Sequence, residues 1–129
     1  MLARGYEQYK QQSVATMTQT EMLLLLYDEC IKRLIIAEQA LNRGDYESFN
    51  AAVLRTKQII RYLTNVLDRQ YEISNSLYRM YDYFQYELGR LQAGRKKEII
   101  AELKKHIKEL RDAFAQADKI NATQHHMDI

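Results

Sequence analysis

Nothing in this chain of 129 residues is built to interrupt a helix: there is no proline, and only four glycines are present. With 28% charged residues alongside, that poverty argues against sheet or turn-rich folds and for long uninterrupted helices. The single cysteine, Cys30, excludes an internal disulfide and fits a reducing compartment. No run approaches the ~18 apolar residues of a membrane span, and the first residues lack the charged, apolar and small-residue order of a signal peptide. The expectation is therefore a cytosolic protein, neither inserted nor secreted by that route. Net charge is also scarce. A formal +2, with the basic run Arg95, Lys96, Lys97, Lys104, Lys105, Lys108 and Arg111 interleaved with Glu98, Glu102 and Glu109, describes a solvated helix face rather than a nucleic-acid binder.

What the chain has in abundance is apolar surface at helical spacing. Between Thr20 and Leu41, a projection at about 100° per residue places Leu23, Tyr27, Cys30, Leu34, Ala37 and Leu41 on one stripe. Leu24, Ile31 and Ile35 form a second stripe about a quarter-turn away, and Leu25 and Ile36 point nearly opposite the first. A helix apolar most of the way round must be covered on several sides, by its own domain or by a partner.

Thr18 and Glu21 have capping-box spacing and start this helix; Gly44 and Asp45 close it and cap the next. A second helix is predicted over about 46–70, with Phe49, Val53, Thr56, Ile60, Leu63 and Leu67 as its seam and Ala52, Ile59 and Val66 beside it. After a polar break around 70–75, Leu77, Met80, Phe84, Leu88 and Leu91 recur through a tyrosine-rich third helix that Gly94 ends. The fourth, about 95–119, has Ile100, Leu103, Ile107, Leu110 and Phe114 on a narrower seam. Short connections favour folding neighbours back on one another over an intermolecular coiled coil. The chain reads as all-α: an antiparallel four-helix bundle at 18–119, preceded by a mobile or docked arm at 1–17 and followed by a flexible polar tail at 120–129.

Catalytic and metal-binding arrangements are missing. The histidines are His106, His125 and His126; no Glu-x-x-His occurs, so the ligands of a di-iron bundle are absent. Adjacent His125 and His126 read as solvated tail, and Glu102 with His106 as a weak surface pair one turn apart. No phosphate loop, nucleophile elbow or Cys-x-x-Cys is present. A non-enzymatic protein without cofactor or metal is expected. Ten tyrosines point instead to recognition: Tyr71, Tyr78, Tyr81, Tyr83 and Tyr86 cannot share one seam of the third helix, and tyrosine combines apolar area, a polar tip and little entropy to lose.

The arm with Tyr6, Tyr9, Lys10 and Ser13-Val14, then Glu21 followed by MLLLLYDECIKRL, Leu67-Asp68, and LYRMYDYFQYEL together resemble the flagellar secretion chaperone family called FliS. The likeness runs over about residues 6–115 in order and spacing, its sharpest parts being Leu26-Tyr27-Asp28 and Tyr81-Asp82-Tyr83. The resemblance implies a cytosolic bundle that binds the C-terminal segment of newly made flagellin; an export-gate component is a further candidate partner, and the charge pattern gives no expectation of nucleic acid. The resemblance also implies that the client lies extended with short helices on apolar patches, and that the chaperone's own arm covers part of the same surface. Tyr6 and Tyr9 match the arm's aromatic positions, and Tyr27 and Asp28 the first-helix motif. Where the family usually has a glycine-containing turn, this chain has RQYEISNS.

Expected flagellin-binding residues are thus Tyr6, Tyr9, Leu24, Leu25, Tyr27, Asp28, Ile31, Ile35 and Ile36, on a monomer or weak homodimer. Two other readings compete: a histidine-phosphotransfer bundle using His106, and a helical adaptor for another client.

Overall fold

The computed structural model describes residues 17–127, with side chains described as far as Ile120. Four helices follow one another, α1 (Gln19–Asn42), α2 (Tyr46–Asn65), α3 (Glu72–Gly94) and α4 (Lys97–Met127), and no strand occurs among the described residues. Packing joins α1 to α2 and α4, and α3 to α2 and α4. Two ion pairs set the sense of the α1/α4 seam: Asp28 meets Arg111 at 3.0 Å, and Glu38 meets Lys104 at 3.4 Å. Residue numbers rise on one helix as they fall on the other, which is an antiparallel bundle.

Local chemistry starts and stops these helices. The Thr18 hydroxyl accepts from the Glu21 amide at 3.1 Å while the Thr18 amide donates to Glu21 Oε2 at 3.2 Å, so two orphan donors of the first turn are satisfied reciprocally. Gly44 reverses the chain at φ +71°, where a side chain would strain the backbone. Asp45 then accepts from the Ser48 hydroxyl and amide at 2.6 and 3.1 Å; those two bonds, the hydroxyl's first, hold its carboxyl below the usual range.

Three boundaries differ from the sequence expectation. α2 ends at Asn65, and the reversal spans 66–71 rather than 70–75. It needs no glycine because its polar groups pair with one another: Ser74 donates its hydroxyl to the Asp68 carbonyl at 2.6 Å, the Tyr71 amide donates to the same carbonyl, and the Gln70 amide donates to Asp68 Oδ1. Gly94 is still helical, and Arg95 takes the left-handed position at φ 54°. That conformation costs a non-glycine residue roughly 1 kcal/mol; the Arg95 guanidinium lies 3.9 Å over the Tyr46 ring, an attraction of similar size, about 0.5–1 kcal/mol. Finally, α4 continues to Met127 instead of ending near Lys119. No glycine or proline follows Gly94, and Ala113, Ala115, Ala117 and Ala122 favour helix.

The core is filled by Tyr27, Cys30, Leu34, Ala37 and Ala40 of α1, Phe49, Val53, Ile60 and Leu63 of α2, Tyr81, Phe84, Leu88 and Leu91 of α3, and Ile100, Leu103 and Ile107 of α4. Leu23 and Leu41, expected on the first seam, are only half-buried at its ends, while Ala40 is fully enclosed.

Candidate functional site

At one pole of the bundle, the start of α1, the end of α2, the 66–71 reversal and the start of α3 converge without closing over. Between them lies an open groove of about 480 Å³, walled by Met22, Leu23 and Leu26 of α1, Tyr62, Leu63 and Val66 of α2, Leu67 and Tyr71 of the reversal, and Ile73, Leu77 and Tyr81 of α3. Its rim is apolar and solvent-facing: Tyr62 is 51% exposed, Val66 45%, Tyr71 62% and Ile73 59%. Side chains of this kind, left in water beside a concavity, are characteristic of an interaction surface. The groove has no catalytic constellation; it offers area, shape and a few polar edges.

Its floor is tied to the centre of the molecule. Tyr81 is fully buried, and its hydroxyl meets that of Tyr27 at 2.5 Å across the bundle. Burial away from water pushes both phenols above their ordinary range. The Tyr27 ring in turn lies 6.0 Å from that of Phe114 on α4, and its neighbour Asp28 holds Arg111. Tyr27 was expected at the binding surface; it is a core residue, fully enclosed, because its position on the first stripe aims it at the bundle axis and a phenol opposite accepts its polar tip.

The remaining predicted residues occupy other faces of α1. Leu24, Ile31 and Ile35 share with Asp28 the side that reaches α4, their spacings of three and four keeping them in line. Ile35 is 42% exposed there, and Leu24 and Ile31 are half-buried. Leu25, 41% exposed, lies on the outer side, whereas half-buried Ile36 packs against the core. None of these lines the polar-end groove. Tyr6 and Tyr9 lie outside the described residues, as do the side chains of His125 and His126.

Sequence reasoning did not place Met22, Leu26, Tyr62 or Ile73 at a binding surface, and reached Tyr71 only through the surplus of tyrosines. The signal was present: Met22 and Leu26 are one turn apart, and Tyr62 and Val66 one turn apart at the end of the next helix. What was lacking was the knowledge that the two ends meet. Among the tyrosines of α3, Tyr81 is core while Tyr78, Tyr83 and Tyr86 are exposed, as the crowding on one seam required.

His106 sits between Glu102 at 3.5 Å and Glu109 at 3.8 Å, with the Tyr83 ring edge-on at 6.0 Å. Two carboxylates and an aromatic ring hem the imidazole, a poor setting for accepting an anionic phosphoryl group. Cys30 is enclosed, and burial pushes its thiol up to about 12, which removes it as a nucleophile. No helix among the described residues is long and apolar enough to cross a membrane.

Residues 2–121 match the family model described as flagellar protein FliS. The chain belongs to the FliS family. A curated relative, the flagellar secretion chaperone FliS of Bacillus subtilis (strain 168), is 35% identical over 112 residues, covering 87% of this chain and 84% of the relative. The fold is also that of a crystal structure of a flagellar chaperone from bacteria, with a TM-score of 0.76 at 17% identity over 92% of this chain and 98% of that one. As a FliS protein the chain is a flagellar secretion chaperone, and its open apolar groove is the sort of feature a chaperone presents to a client.

Proposed function

We propose that this chaperone binds the C-terminal segment of flagellin in the cytosol, seats an amphipathic turn of it in the polar-end groove, and so keeps it unpolymerised and fit for the flagellar type III export machinery. The observation that carries the reading is the groove itself, an apolar concavity with a solvent-exposed aromatic and aliphatic rim in a member of this family. An amphipathic segment whose apolar side is covered has nothing left with which to join its own kind, and mass action then holds it in the complex. Coupled ordering of the client costs several kcal/mol of chain entropy, so the affinity remains low enough for release.

A longer client crosses further apolar ground. Leu24, Ile31 and Ile35 beside α4, with Asp28 among them, Leu25 on the outer side and the exposed part of Ile36 provide it. Gln19, next to the Thr18 cap, lines the groove, and this supports the reading that the preceding arm with Tyr6 and Tyr9 competes with the client.

Titration of the full chain with its cognate flagellin C-terminal segment tests this. Val66→Asp and Ile73→Asp, both at exposed positions, leave the helical spectrum unchanged and weaken binding by more than about tenfold, an apolar contact and a desolvated charge being worth over ~1.4 kcal/mol together. Leu25→Asp and Ile36→Asp weaken it less. Full affinity in the Val66 and Ile73 variants would rule the groove out as the seat.

A further inference from the structure

The groove carries a charge where an apolar seat needs none. Among the described residues that line it, Asp68 alone is ionisable apart from the tyrosines, and its side chain is exposed. The carboxylate accepts from the backbone and side-chain nitrogens of Gln70, both at 3.2 Å, and both donors are neutral. The adjacent cation turns away: Arg69 lies 4.5 Å over the Tyr78 ring and donates to Asn75 at 3.0 Å. Glu21 and Glu72 stand in the first turns of α1 and α3, outside the groove's lining, and the Glu21 carboxylate is taken up by the Thr18 amide. An apolar trough with an acidic edge complements an amphipathic helix whose apolar face is bordered by a cation.

We propose that Asp68 is a specificity-determining residue of the groove, which pairs with a lysine or arginine bordering the apolar face of the seated helix and so fixes the direction in which that helix lies. Apolar contact supplies most of the affinity and is nearly blind to orientation, whereas one charge at one end is not. The proposal rests on the groove being the client's seat and adds the chemistry of the occupant. Because the site is solvated, the effect is a modest preference that salt suppresses.

Two designed amphipathic helical peptides test it, with identical apolar faces bordered by lysine in one and glutamate in the other, titrated against the full chain at low and high salt. The lysine peptide binds about three- to tenfold tighter at low salt, and the margin shrinks at high salt. Asp68→Asn abolishes the preference while its side-chain oxygen still accepts from the Gln70 amide, and Asp68→Lys reverses it. Equal affinities for the two peptides, a preference that survives Asp68→Asn, or no binding of either peptide would overturn the proposal. The flagellin C-terminal segment is titrated in parallel. Its binding without any effect of Asp68→Asn defeats this inference alone, and its failure to bind while the lysine peptide binds defeats the flagellin reading alone.

Discussion

Tyr27 and Tyr81 show how much a single atom decides in this core. Each hydroxyl is enclosed, and each is the other's partner. Tyr27→Phe or Tyr81→Phe alone strands a buried hydroxyl and costs about 1–3 kcal/mol, whereas the double phenylalanine variant costs clearly less than the two single losses added. Urea denaturation of the four proteins measures that difference, and additive losses would mean that the two hydroxyls are not coupled. The same enclosure makes the fold sensitive to alkali. Cys30, raised from 9.0 to about 12, and both buried phenols keep their protons in the native state where the unfolded chain gives them up. The unfolded state then binds fewer protons, so stability falls as pH rises from about 9 toward 12. Urea midpoints decline across that window, and Cys30→Ala flattens the first part of the decline. The sequence placed Tyr27 on the core stripe, and only the resemblance to the family's first-helix motif placed it at the binding surface as well; that a tyrosine 54 positions away would meet its hydroxyl was not legible.

Helix starts were legible wherever their chemistry is local. Thr18 with Glu21, and Gly44 with Asp45, act within a few residues and are where spacing put them. Ends governed by distant partners were not. Arg95 takes the left-handed position that a glycine next to it could have filled, under the ring of Tyr46 from the far side of the chain. The reversal at 66–71 is held by a hydroxyl on the following helix, a bond that no local pattern announces. Ser74→Ala therefore costs about 1 kcal/mol of stability and loosens the groove wall that carries Leu67 and Tyr71. Client affinity falls with it, while the α1 cap and helical content stay as they are; a calorimetric titration beside a urea melt separates the two effects. Undiminished affinity would mean that the wall does not depend on this bond.

At the scale of the molecule, bundle topology followed from apolar periodicity and short connections, and the family from motifs spread over most of the chain. The groove did not follow, because it belongs to no single helix: α1, α2, α3 and a reversal each give it a few residues. A one-helix projection registers surplus apolar residues such as Leu25 and Ile35, which are indeed exposed, but it cannot see which ends of different helices meet. A client that binds only the folded protein raises the apparent stability of the whole bundle by about 2.7 kcal/mol at a hundred times its dissociation constant. Thermal melts with excess flagellin C-terminal segment shift upward by several degrees, and Val66→Asp loses most of that shift. An unchanged melt with the wild-type chain would contradict binding to the native fold.

The clasp between Arg95 and Tyr46 lies at the opposite pole from the groove, where it pins the last turn of α3 to the first turn of α2. The cation–ring contact and the hydrogen-bonded reversal at 66–71 thus tie α2 to α3 at opposite extremities. A substitution at Tyr46 or Arg95 therefore acts on the fold at one extremity and leaves the groove's own lining as it is.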